Sequence, residues 1–288
     1  MRAVWVEAAV NGPWSRRWQP GIPVSVEEIV ADGIACAEAG AAIVHVHPYD
    51  EATGLQRDDP DIYEPILRGI RAETDAIVYP TLPLGAGPGA PPLTPQERFA
   101  AVAELARRGL LEWAVVDPGS ANFSHRDFPD EGFVYLNPET HIRHGLALCA
   151  ANAIRPAYAC YEPGFTRLGA ALAAEQDNLP GPVYRFMFSD DFRFGFPPQR
   201  YALDAHRRLL SDVAPDGPWM IAGLAVDVRP LIPDAVELGG HVRVGLEDAP
   251  FGCPQTNAEL VADAVQRIEK AGATIATPAE VRTALASA

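Results

Sequence analysis

Apolar positions along the chain gather into eight short, β-rich runs separated by polar and helix-patterned stretches. The runs span residues 3–10, 41–47, 76–80, 113–117, 155–161, 183–188, 219–224 and 241–246. Between them, residues 27–39, 61–72, 95–108, 138–151 and 257–271 carry apolar side chains at helical spacing. The last is the clearest, with Leu260, Val261, Ala264, Val265 and Ile268 on one face and Gly272 as its stop. Strand alternating with helix eight times predicts an α/β fold, a (β/α)8 TIM barrel formed as one domain by residues 1–288. The competing fold is a doubly wound open sheet, but no Gly-rich dinucleotide fingerprint follows the first run. A Gly/Pro-rich run at residues 85–92 falls between the third strand and its helix, which on a barrel is the catalytic face. It is not a phosphate loop, because no Gly-Lys-Ser/Thr follows. Residues 192–199 are expected to form a second loop over the mouth.

Composition narrows the classes of partner. A chain of 288 residues with 48% hydrophobic content has ample material for a large core and is too apolar for disorder. A net charge of -15 argues against nucleic acid and anionic membrane as partners. An anionic substrate therefore needs a local positive site, either a metal or a few arginines. Cys36, Cys149, Cys160 and Cys253 fit neither a CxxC pair nor a disulfide framework, so reduced thiols are expected. The chain starts directly on a strand-like run and has no apolar stretch long enough to span a bilayer. A soluble, cytoplasmic protein is the expectation.

Candidate chemistry begins at the end of the second run. Residues i and i+2 of a strand share a face, so His45 and His47 point the same way. Two imidazoles on one rigid element suit a divalent metal, and two satisfied histidines are the alternative. After the eighth run come Glu247 and Asp248, with Arg243 on the strand itself. In a closed barrel the second strand lies two positions from the eighth, which brings Glu247 within reach of a metal held by His45 and His47. The alternative is a solvated pair of charges at a turn. Glu7 sits in an apolar run and needs a partner if buried, either as an ion pair or as a catalytic acid. Asn11 follows it. Asp117, Ser120 and Asn122 end the fourth strand and Glu162 ends the fifth. Barrel active sites are built at strand ends, although such residues also make turns.

Three ordered segments carry a family resemblance. They are Gly239-Gly240-His241-Val242-Arg243-Val244-Gly245-Leu246-Glu247-Asp248, then Thr256-Asn257-Ala258-Glu259-Leu260-Val261, then Ala276-Thr277-Pro278-Ala279-Glu280-Val281-Arg282. With the His-x-His and Asn11-Gly12, they make the chain resemble the β-keto acid cleavage enzyme family over nearly its whole length, as in the 3-keto-5-aminohexanoate cleavage enzymes. The resemblance implies a zinc-dependent barrel, a homotetramer, that condenses a β-keto acid with acetyl-CoA and releases acetoacetate and a new acyl-CoA. It implies His45, His47 and Glu247 as ligands of Zn2+, and Arg243 with Asp248 as the dyad that removes a substrate proton. Glu7, Asn11, Thr81, Asn122 and Glu162 fall at substrate-contact positions.

The departures cluster in one region. Tyr49 stands where the family's metal strand has an arginine, Pro13-Trp14 where an acid is often found, and Thr81-Leu82-Pro83 where the family has a serine-threonine-glycine run. The metal and dyad positions are kept while the substrate pocket is rebuilt. Two other readings stand beside this one. A metal-dependent hydrolase of the amidohydrolase kind also uses His-x-His, but on its first strand and with a later lysine, histidines and aspartate that are not evident here. A non-catalytic metal- or metabolite-binding barrel has little need of Arg243, Glu247 and Asp248 together.

Overall fold

A computed structural model describes residues 2–84, 91–125 and 132–286. Most of the Gly/Pro-rich run expected at the catalytic face, residues 85–90, lies outside the described residues. The eight barrel strands are β1 (Val6–Ala9), β2 (Ile43–Val46), β3 (Ile77–Pro80), β4 (Trp113–Val115), β5 (Arg155–Cys160), β6 (Val183–Phe188), β7 (Trp219–Gly223) and β8 (His241–Val244). They form one all-parallel sheet in the order β3-β2-β1-β8-β7-β6-β5-β4. Its end strands β3 and β4 lie against each other, so the sheet nearly closes into a barrel. The alternating pattern therefore specified a (β/α)8 TIM barrel, as the sequence predicts.

Each strand is followed by a helix: α1 (Val26–Glu38), α2 (Pro60–Glu73), α3 (Ala100–Arg107), α4 (Glu139–Ala151), α5 (Pro163–Ala174), α6 (Arg200–Val213), α7 (Ile232–Leu238) and α8 (Asn257–Lys270). A closing helix, α9, covers Pro278–Ala286. Capping boxes fix where several of them start. Ser25 with Glu28 opens α1, and Thr256 with Glu259 opens α8, each satisfying two orphan backbone donors. No helix among the described residues is long and apolar enough to cross a membrane.

The structure departs from the expected boundaries in two informative places. The first apolar run is two strands rather than one, because Trp5 leaves the ladder. Its backbone N–H donates to His241 Nδ1 at 3.0 Å and its ring stacks on that imidazole at 3.8 Å. Ala3–Val4 consequently pairs with Thr274–Ile275 outside the barrel. The third helix is interrupted at Phe99, whose φ of -98° and ψ of 9° separate Pro95–Arg98 from α3.

Barrel interiors are ordinarily filled by branched apolar residues. Here the inward positions of β1, β3, β6 and β8 carry Glu7, Tyr79, Arg185 and Arg243 instead, all buried. Glu7 and Arg243 are register partners on adjacent strands, so their side chains emerge on the same face. Charges buried at this depth are tolerated only when paired, and their pairing builds the floor of the site.

Candidate active site

The site opens at the carboxyl end of the strands, where loops rather than the ladder set the backbone. His45 lies on β2 and His47 just beyond it. Glu247 arrives from the turn after β8. Glu247 Oε2 stands 3.6 Å from His45 Nε2, and Glu247 Oε1 stands 3.4 Å from His47 Nε2. The three donor groups lie within 4.8 Å of one another, which makes them able to hold a metal ion. Two donors each about 2.1 Å from a tetrahedral cation are about 3.4 Å apart, so these separations suit a shared ion.

Two further observations test that fit. His47 Nε2 and Glu247 Oε2 are buried and have no hydrogen-bond partner among the described residues, a state that costs roughly 1–3 kcal/mol per group. The charge balance also points to a cation. Four buried carboxyl groups, on Glu7, Asp117, Glu247 and Asp248, outnumber the three buried guanidiniums among the described residues, on Arg98, Arg185 and Arg243. A divalent ion would neutralise that excess. Burial holds the His45 imidazole well below its ordinary pKa and hence neutral, as a metal ligand must be. Burial alone would push the Glu247 carboxyl up, but Arg243 and the two imidazoles outweigh it and hold it well below the usual carboxylate range.

His47 is oriented from behind. Its Nδ1 lies 2.9 Å from Gln56 Oε1, and Gln56 Nε2 donates to Asp58 Oδ2 at 2.8 Å. The Tyr63 hydroxyl donates to the same carboxylate at 3.1 Å. Because Gln56 offers an acceptor, the His47 proton belongs on Nδ1, which leaves the Nε2 lone pair facing Glu247. We expect Gln56→Leu to weaken metal affinity about ten- to hundredfold while leaving the apo fold intact. Competition with a chromophoric chelator measures this, and unchanged affinity would show that Gln56 does not orient the ring.

Arg243 joins the metal-ligand group to the barrel floor. Its Nε and Nη2 donate to the two oxygens of Asp248 at 3.0 and 2.8 Å, a bidentate pair. Nη2 also lies 2.7 Å from Glu247 Oε1, and Nη1 donates to Glu7 Oε1 at 3.1 Å. Burial raises the Asp248 carboxyl to about 6 in spite of Arg243. The Tyr79 hydroxyl donates to Glu7 Oε1 at 2.6 Å, and Arg185 Nη1 donates to the Tyr79 oxygen at 2.9 Å. Arg185 in turn lies 3.8 Å from Asp117 Oδ1.

The loops that present these groups are tightly fixed. Gly12 has φ of +63°, and a Cβ there would meet Glu247 Cγ at 2.6 Å, so only glycine permits the approach. The Glu247 carbonyl accepts from Trp14 Nε1 at 2.7 Å, and the Leu246 N–H donates to Asn257 Oδ1 at 2.7 Å. The Tyr49 hydroxyl sits 2.6 Å from the Gly12 carbonyl and 2.5 Å from that of Trp14. Tyr49 thus holds the β1 loop in place. Asn11 does similar work for the β2 end, accepting from the His47 N–H and donating to its carbonyl, both at 2.9 Å.

These groups floor a cavity of about 310 Å³ whose wall includes His45, His47, Thr81, Arg185, Arg243 and Glu247. Of the five expected substrate contacts, only Thr81 reaches this wall. Glu7 lies beneath it in the ion-pair layer, and Asn11 braces β2. Asn122 is exposed on the hairpin of Ala121–Phe123 with Phe133–Tyr135. Glu162 caps the loop after β6, its Oε1 accepting from the Gly195 N–H at 3.0 Å. Asp248 is likewise off the wall, with Arg243 between it and the cavity. Sequence reasoning missed Arg185, Tyr79 and Gln56. The one signal for Arg185 was a charge in the middle of an apolar strand, which demands a partner.

Comparison with known proteins agrees with this geometry. Residues 3–286 match the beta-keto acid cleavage enzyme family. The 3-oxoadipate:acetyl-CoA acetyltransferase of Cupriavidus necator is 29% identical over 289 residues, covering 97% of this chain and 93% of that protein. The 3-dehydrocarnitine:acetyl-CoA trimethylamine transferase of Rhizobium meliloti is 29% identical over 300 residues, covering 98% and 95%. Among solved structures, apo ObcA superposes with a TM-score of 0.70 at 19% identity, which speaks for the fold alone. The match takes in 93% of this chain and 66% of the ObcA chain. With the family match spanning almost the entire barrel, the chain belongs to the beta-keto acid cleavage enzyme family.

Proposed function

We propose that this protein is a zinc-dependent acyltransferase that converts a β-keto acid and acetyl-CoA into acetoacetate and a new acyl-CoA. The observation that carries the reading is the convergence of His45, His47 and Glu247 beside Arg243 on one cavity floor, with Asp248 paired to Arg243 behind it. Two imidazoles and a carboxylate with an open position are a common catalytic zinc set. When bound, zinc supplies Lewis-acid polarisation of the substrate's ketone and carboxylate oxygens.

The balance of bonds is simple. The C2 carbon of the keto acid loses a proton and bonds to the acetyl carbonyl carbon, releasing CoA thiolate. The thiolate then bonds to the original ketone carbon, the C2–C3 bond breaks, and C2 regains a proton as acetoacetate leaves. Arg243 and Asp248 act as one proton acceptor in this scheme. Arg243 presents its edge to the cavity, passes an N–H proton to Asp248 and takes the C2 proton in its place. The guanidinium ends charged and the carboxyl ends neutral. Arg185 adds a second fixed positive charge at the floor, where the substrate carboxylate needs one.

A cytoplasmic homotetramer completes the reading. It rests on the family resemblance and on four cysteines that are all free. The test is acetoacetate formation by zinc-loaded protein from a panel of β-keto acids. Product should require both the acid and acetyl-CoA. Hydrolysis without CoA, or a protein that binds no metal, overturns the reading.

A further inference from the structure

We propose that the β-keto acid handled at this site carries an apolar, uncharged substituent on its ketone carbon. The inference rests on the reaction proposed above and concerns only the part of the substrate that does not react. The cavity is divided in character. Its ionic groups are Asp117, Arg185, Arg243, Glu247 and the two histidines, gathered toward the floor. Above them the wall is Trp14, Leu82, Phe123 and Tyr161, and the rim is Leu55, Leu84 and Phe133. The three rim side chains are 60%, 38% and 40% exposed, so apolar surface faces the opening. Apolar residues left exposed around a concave site are a mark of ligand contact.

The aromatic wall is stiff. Phe123 is its hub, with ring centroids 5.3 Å from Phe133, 5.0 Å from Tyr161 and 5.1 Å from Phe194. These separations suit mutual aromatic packing, which fixes the rings in place.

The described wall offers nothing to a charged tail. An ammonium group needs a free carboxylate, and the one candidate away from the metal-ligand set is Asp117. Its Oδ2 accepts from the Tyr135 hydroxyl and its Oδ1 from the Ala159 N–H, each at 2.7 Å. An anionic tail needs a cation of its own, but Arg243 is committed to Asp248 and Glu7, and Arg185 lies at the floor beside Tyr79, where it serves the reacting carboxylate. The described polar residues nearer the mouth, Ser15 and Thr81, are neutral. A charge placed against this wall would lose its water without gaining a partner. The cavity of about 310 Å³ must hold the reacting atoms as well as the tail, which limits the tail to medium size.

The experiment ranks kcat/KM of zinc-loaded protein with acetyl-CoA for 3-oxopentanoate, 3-oxohexanoate, 3-oxooctanoate and 3-oxo-3-phenylpropanoate against 3-oxoadipate and 3-dehydrocarnitine. Each added methylene should raise kcat/KM about fourfold, the equivalent of ~0.8 kcal/mol. The two charged acids should fall at least about a hundredfold below 3-oxooctanoate. In Leu82→Ala the ratio of 3-oxooctanoate to 3-oxopentanoate should drop about tenfold. Faster turnover of either charged acid overturns this inference and leaves the reaction standing. If no acid yields acetoacetate, the reaction itself is wrong, and calorimetric binding of the same acids still decides the inference. Charged acids that bind as tightly as the octanoate would overturn it.

Discussion

His45→Ala is expected to lose its metal and its turnover together. The side chain is fixed by β2, where His45 sits in register between Ala9 and Tyr79, with its ring 4.6 Å from that of Tyr79. Removing it leaves His47 and Glu247, two donors where a catalytic zinc site uses three. The loss of affinity should exceed the hundredfold or so that loss of an outer partner causes. Turnover should fall about 10³-fold or more, because several kcal/mol of transition-state charge stabilisation goes with the ion. A readout independent of catalysis is available. Metal at about a thousand times its Kd stabilises a folded protein by about 4 kcal/mol, a rise of roughly 7 °C in Tm for a chain of this length. The wild type should show that rise on zinc addition and the variant should not. A variant with full metal content and wild-type rate would remove His45 from the site.

Asp248→Asn is expected to separate the two halves of the site. Asp248 does not approach the metal-ligand atoms directly; both its oxygens are taken by Arg243. An asparagine keeps one acceptor for the guanidinium but turns an NH2 toward its other donor, and it cannot accept the N–H proton that Arg243 must pass on. The rate should drop 10²- to 10⁴-fold, the ordinary contribution of a positioned base. Metal content should stay near wild type, since His45, His47 and Glu247 are untouched. Arg243 Nη2 already lies 2.7 Å from Glu247 Oε1, so the freed guanidinium leans on that carboxylate and zinc affinity falls by about tenfold at most. An asparagine variant with full activity would overturn the assignment of the proton acceptor.

Pocket and loop residues show what was legible before the fold was known. Asn122 and Glu162 stand at strand ends, where catalytic side chains usually gather, yet neither faces the cavity. Asn122 lies on a hairpin whose alternation buries Ala121 and Phe123 and turns the residue between them outward. Glu162 is spent on the backbone of Gly195. Position along the chain told which end of the barrel these residues occupy but not the direction of their side chains. Arg185 erred the other way. A lone charge in an apolar strand has no periodic signature, and its partners Tyr79, Glu7 and Asp117 lie on or just beyond three other strands.

The chain's own order of residues determined the eight strands, most of the helices, and the shared face of His45 and His47. Those features depend on backbone geometry within a few residues, so the alternation of apolar and polar positions is enough to specify them. The match of Glu247 to that histidine pair, the burial of four carboxyl groups with fewer guanidiniums, and the apolar wall above them were decided only by tertiary structure. Closing a parallel sheet sets the order and stagger of its strands. That closure brings residues some two hundred positions apart to within hydrogen-bonding distance, as with Glu7 and Arg243. No local pattern encodes such a distance, because it is a property of the whole ring.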